Sequence, residues 1–170
     1  MRLFAFVLFG CLLALPDPAC AQMSGTYVGF GMGGWDKKET GTYSSNDYST
    51  VLNVFAGLRM SFLRAEFNIS QWDNATREGY TDSFTAASAA VYLHVMPGST
   101  FSPFIGGGGG YLISDEGNSP FYTYGGGIEI SPRYAPVGVS VEYRHLEPTK
   151  KIKQHDFTAN AYLFNIFYNF

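Results

Sequence analysis

Ala161-Tyr162-Leu163-Phe164-Asn165-Ile166-Phe167-Tyr168-Asn169-Phe170 closes the sequence, and it alternates without a slip. Successive side chains of a strand point to opposite faces. Tyr162, Phe164, Ile166, Tyr168 and Phe170 therefore share one face, while Ala161, Leu163, Asn165, Phe167 and Asn169 share the other. The first face is large, aromatic and uncharged, so it suits apolar surroundings; the second mixes amides with apolar groups. Helical spacing would scatter both sets around a cylinder and leave neither face coherent.

The same period of two continues upstream with no sustained helical pattern. Seven further strands are predicted, at about residues 26–35, 51–60, 63–70, 84–96, 104–113, 122–131 and 137–146. Val28, Phe30 and Met32 oppose Gly29, Gly31 and Gly33. Leu52, Val54, Ala56 and Leu58 oppose Asn53, Phe55, Gly57 and Arg59. Connections alternate: Ser61-Phe62, 97–102 and 132–136 are compact, whereas 36–49, 71–82, 114–120 and 147–155 are mostly longer and more polar. Short turns at one end and longer loops at the other suit a barrel in a membrane, with both termini on the side of the short turns.

Arg2, the apolar run from Leu3 to Leu15, Pro16-Asp17-Pro18 and Ala19-Cys20-Ala21 read as a secretory signal peptide cut before Gln22. The run is short for a spanning helix, which needs about 20 residues. A lipoprotein signal ending at Cys20 is the alternative, with Asp17 where such a signal wants an apolar residue. The expected organisation is thus a signal peptide, 1–21, and one barrel domain, 22–170. Cys11 and Cys20 both fall in the leader, which excludes thiol catalysis, thiolate metal sites and disulfides from the remainder. Losing Arg2 and Asp17 together leaves the net charge at −3. That balance, without large basic clusters, gives no reason to expect nucleic-acid binding.

A soluble eight-stranded barrel would carry the same alternation turned inside out, with its apolar face inward. Three features decide for apolar side chains outward. Lys37, Lys38, Lys150, Lys151 and Lys153 all lie in predicted long loops, and none lies on a strand; a water-facing sheet would use lysines along its strands. The polar face carries Arg59, Arg64 and Arg144 with Glu66, Glu129 and Glu142, a balance suited to paired buried ions. That face also sets Gly and Ala beside Phe55, Tyr92, Phe104 and Phe167, small beside large, as a narrow barrel filled by side chains requires. The fold class expected is all-β: an eight-stranded antiparallel up-and-down transmembrane β-barrel.

The terminal alternation ending on Phe170 resembles the assembly signal of outer-membrane barrels. Tyr27-Val28-Gly29-Phe30-Gly31, Pro103-Phe104-Ile105-Gly106, Gly127-Ile128-Glu129, Val141-Glu142-Tyr143-Arg144 and Tyr168-Asn169-Phe170, in that order, resemble the OmpA-like and opacity-type outer-membrane barrel family. The resemblance implies a bacterial outer-membrane protein, a monomer handled by periplasmic chaperones and the barrel-assembly machinery, in contact with outer-membrane lipid and lipopolysaccharide. No further domain is expected after the barrel, so the resemblance does not imply peptidoglycan anchoring.

Chemistry is sparse. Gly29-x-Gly31-x-x-Gly34 matches a dinucleotide fingerprint in form, but no helix follows to hold a pyrophosphate. The 106–110 glycine run lacks the Lys-Ser/Thr of a phosphate loop; it leaves room for opposing rings or permits strong curvature. Some small outer-membrane barrels act on lipid A through a His and a Ser two apart; His145-Leu146-Glu147 has Glu where that serine would be. His94 reads as a packed interior residue, and His145, Glu147, His155 and Asp156 make a weak metal set. No catalytic residue, metal or cofactor is assigned. Lys150, Lys151 and Lys153 suit lipopolysaccharide phosphates, or are a solvated loop. Trp35, Trp72, Tyr48, Tyr80 and Tyr122 read as interfacial girdle residues. The expected function is structural or surface-interaction, adhesin-like, through outer loops carrying an extracellular ligand; a narrow channel is the alternative and a lipid A enzyme the minor one.

Overall fold

The computed structural model describes residues 24–39, 49–75, 81–114, 117–132, 135–150 and 157–170. They form β1 (Ser24–Glu39), β2 (Ser49–Met60), β3 (Leu63–Ala75), β4 (Thr81–His94), β5 (Phe101–Ser114), β6 (Gly117–Ile130), β7 (Val137–Pro148) and β8 (Phe157–Asn169). Each strand pairs antiparallel with the next, and β1 pairs with β8, so the sheet closes into an eight-stranded barrel with no free edge. Among the described residues no helix is long and apolar enough to cross a membrane.

Register fixes the geometry. Following partners once around from Ser24 through Met60, Leu63, Leu93, Ile105, Gly126, Tyr143 and Tyr162 returns to β1 at Gly34, a stagger of 34 − 24 = 10 residues. With ordinary strand spacing and rise, that stagger tilts the strands by about 40° to the axis. The interior is then just wide enough for side chains to fill.

Alternation decides what fills it. Phe30, Val54, Ile105 and Val141 are 57, 41, 63 and 60% exposed on the outside, while Glu129 and Glu142 inside are 2% exposed. No water-soluble sheet would arrange itself so: apolar rings and branched chains face out and paired ions face in. Inward glycines make the room for inward rings. A Cβ built on Gly127 would sit 2.9 Å from the Phe104 ring, and one on Gly29 would overlap Phe55.

The strands run further than the apolar alternation predicts, chiefly at the outer end, the end opposite the short turns. β1 continues through Lys37 and Lys38 to Glu39, which corrects their placement in the 36–49 loop, and β3 continues to Ala75 and β4 begins at Thr81, where residues 71–82 read as loop. Above the apolar band the backbone ladder still closes, and polar cross-strand pairs replace greasy ones: Thr85 Oγ1 donates to Gln71 at 2.7 Å. The 114–120 loop is also corrected, since β5 ends at Ser114 and β6 starts at Gly117, with Gly117 at φ 136°. At the opposite end the Ser61-Phe62 turn is two residues long, with Ser61 at φ 50°.

Candidate functional site

Two layers occupy the barrel interior. In the half nearer the short turns, Arg59 and Arg64 face each other across β2 and β3, an arrangement that would repel on its own. Glu129 reaches across from β6 and places one oxygen, Oε2, 2.7 Å from Arg59 and 3.2 Å from Arg64. Arg64 also lies over the Tyr92 and Phe104 rings, 4.3 and 4.4 Å from their centroids. Glu66 sits between Arg64 and Arg144, at 3.8 and 3.7 Å, and accepts a hydrogen bond from Tyr27 at 2.9 Å. Glu142 pairs with Arg144 at 2.8 Å and accepts from Tyr92 and Asn165. Three cations and three anions thus form one connected, neutral cluster. His94 closes its lower edge, with Nδ1 2.9 Å from Ser102 Oγ and the ring stacked on Phe104.

The outer half is different. Trp35, Val51, Trp72, Phe84, Leu112, Phe121, Leu146 and Leu163, with Ala86, Ala159 and Ala161, pack into one buried apolar plug. Trp72 stacks on Phe84 at 5.3 Å, and Trp35 meets both edge-on. This corrects the girdle reading of Trp35 and Trp72, which are 4 and 1% exposed and point inward. The signal was in the sequence: Trp35 has the parity of Gly29 and Gly31, and Trp72 that of Glu66 and Asn68. Tyr122 faces out, as a girdle residue does; Tyr48 and Tyr80 lie outside the described residues.

On the outside, apolar positions give way to polar ones toward the outer end: Asp36 on β1, Thr50 on β2, Gln71 on β3, Thr85 on β4, His145 on β7 and Asn160 on β8. At the strand tilt above, Val137 to His145 climbs roughly 20 Å, close to the apolar band of about 25 Å in transmembrane barrels. The whole chain from residue 4 to residue 170 matches the model of the outer membrane protein beta-barrel domain.

The chain belongs to the outer membrane protein beta-barrel domain family.

Membership places it in the bacterial outer membrane and identifies the polar turnover on β1–β4, β7 and β8 as a membrane–water boundary. Neisserial surface protein A has the same fold, with a TM-score of 0.74 at 13% identity, over 86% of this chain and 99% of that one. Ail, the attachment invasion locus protein of Yersinia pestis, also shares it, with a TM-score of 0.57 at 13% identity, over 87% of this chain and 99% of that one. No curated protein matches the sequence.

Within the family fold, the remaining predicted sites fall as follows. Tyr162, Phe164, Ile166 and Tyr168 line the outward face of β8, and the Phe170 ring meets Tyr168 at 5.1 Å just beyond it. Lys150 is exposed at the outer end, its backbone N–H donating to Ser119 Oγ at 3.1 Å; Lys151 and Lys153 lie outside the described residues. His145 faces outward, 3.7 Å from Glu147, and its Nδ1 is 2.7 Å from Asn160 Oδ1. An imidazole oriented by an amide is half of an acyl-transfer constellation. Among the described residues its partners are Asn160, Glu147 and the Tyr124 ring, none of them a serine or threonine. His155 and Asp156, the other half of the weak metal set, lie outside the described residues.

Proposed function

We propose that this barrel serves the outer surface of the cell, as a scaffold whose outer strand ends and loops make contacts, and that it is not a conduit. The observation carrying this reading is the filled interior: an apolar plug in the outer half stacked on a neutral ion cluster in the other. The plug's rings and branched chains, each 8% exposed or less, oppose the passage of a hydrated ion, and a rigid barrel carrying variable loops is where recognition is usually placed. Ail, an attachment invasion locus protein of the same fold, has been crystallised with the heparin analogue sucrose octasulfate. That supports anionic saccharides as the first ligand class to try here.

Lys150, Lys151 and Lys153 are the proposed contact for lipopolysaccharide phosphates, since clustered cations beyond the outer leaflet attract them. The leader ending at Ala21 is proposed to be removed on export, and the outward face of β8 through Phe170 to be read by the assembly machinery. Cells displaying the protein should bind immobilised heparin, and replacing the loops between β1 and β2 and between β7 and β8 with short turns should abolish that binding while the barrel still assembles. Unchanged binding in the loop-replaced protein would remove the reading.

A further inference from the structure

Most of the outward wall is apolar, but near its outer end one patch joins several rings to hydrogen-bonding groups. Tyr124 on β6, Tyr143 and His145 on β7, and Asn160 and Tyr162 on β8 adjoin in register, Tyr124 beside His145 beside Asn160, and Tyr143 beside Tyr162. Their strand neighbours Thr123, Arg144, Leu146, Ala159 and Ala161 are buried inside the barrel, so alternation turns all five outward. Asn160 Oδ1 accepts from Tyr143 OH at 2.8 Å and pairs with His145 Nδ1 at 2.7 Å. The amide oxygen is thereby occupied twice, which leaves the amide N–H groups as the donors this side chain can offer a ligand. With Nδ1 committed to Asn160, the second imidazole nitrogen points to Glu147 at 3.7 Å. Tyr124 packs on His145 at 4.7 Å and Tyr143 on Tyr162 at 5.5 Å.

An aromatic platform with an amide, a carboxylate and an imidazole held at its upper edge is the chemistry that recognises a sugar: rings cover its C–H face while the polar groups take its hydroxyls. The patch lies where the outward surface turns from apolar to polar, which is the height of lipid headgroups. Among the described residues, Gln71 with Thr85 and Asp73 forms a second polar group at that height, and the one ring it meets is Trp35, which donates from inside the barrel to the Asp73 carbonyl at 3.3 Å. We infer that the β6–β8 wall is a binding site for the saccharide headgroup of an outer-leaflet glycolipid. Tyr124, Tyr143 and Tyr162 carry the ring face; His145, Glu147 and Asn160 carry the hydroxyls. This rests on and deepens the lipopolysaccharide contact proposed above, adding a sugar-reading wall to the phosphate-reading lysines.

The test uses the protein refolded in phosphatidylcholine nanodiscs doped either with an acylated, phosphorylated glucosamine disaccharide or with phosphatidylglycerol. Native mass spectrometry after transfer to detergent reads the lipid retained. Wild type should retain the glycolipid in preference to phosphatidylglycerol. Asn160→Leu and Tyr124→Leu should each weaken that retention by about fivefold, the scale of one net hydrogen bond or ring contact. Heat-modifiable gel mobility establishes that each variant is folded, and either variant alone suffices. Equal retention of phosphatidylglycerol, or undiminished glycolipid retention in the folded variants, overturns the inference. The triple variant Lys150→Ala, Lys151→Ala, Lys153→Ala separates the two contacts: loss there with full retention in Asn160→Leu and Tyr124→Leu leaves the lysines and sinks the wall. The reverse pattern upholds the wall and sinks the lysines.

Discussion

Glu129 is the residue on which the interior ion cluster depends most. Its Oε2 serves Arg59 and Arg64 together, and both guanidinium groups hang from neighbouring strands; among the described residues no other carboxylate pairs with Arg59. Glu129→Ala should therefore cost about 3–5 kcal/mol, the usual result of leaving a buried charge unpaired, read as a lower urea midpoint in lipid vesicles. Glu66→Ala should cost less: its ion-pair distances are 3.8 and 3.7 Å, and Arg144 keeps Glu142 at 2.8 Å. An unchanged midpoint in Glu129→Ala would mean that water reaches the cluster. Ser61 offers the opposite sign. A non-glycine residue at φ 50° is strained by about 1 kcal/mol, so Ser61→Gly should be neutral to stabilising in the same titration. The arginines and glutamates could be assigned to one face by parity alone. Their pairing could not, because Glu129 meets Arg59 and Arg64 across the barrel, and only closure and stagger bring those strands opposite.

At the scale of the strand, alternation carries nearly all the information. Val54 and Asn53 are adjacent in sequence, yet one is 41% exposed to the outside and the other 2% exposed within. Val54→Arg should cost about 2–4 kcal/mol, as arginine does on a lipid face near the midplane; a normal folded fraction would contradict the orientation of β2. Deleting Phe170 tests the proposed reading of β8: assembled protein in the outer membrane should fall severalfold with the synthesised amount unchanged, whereas unimpaired assembly would show that recognition does not run through Phe170. Parity was also enough to place Trp35 and Trp72 inside, and reading them as girdle rings let residue type override position. Strand ends were less legible. Past the apolar band, residues such as Gln71 and Asp73 look like loop by composition, although the ladder of backbone hydrogen bonds continues through them.

Taken whole, the barrel is a stagger of ten over eight strands, narrow enough that its own side chains close it. Membrane residence follows from which way its two faces turn, and a surface role is proposed because the middle is full. The plug went unanticipated as a unit, since its members come from all eight strands and no strand holds more than three of them. Its consequence is electrical. Single-channel recording of the refolded protein in a planar bilayer should give no stable conductance. Stable unitary currents from the wild-type protein that vanish on altering Arg59 or Glu66 would mean that ions thread the interior, and would contradict the account.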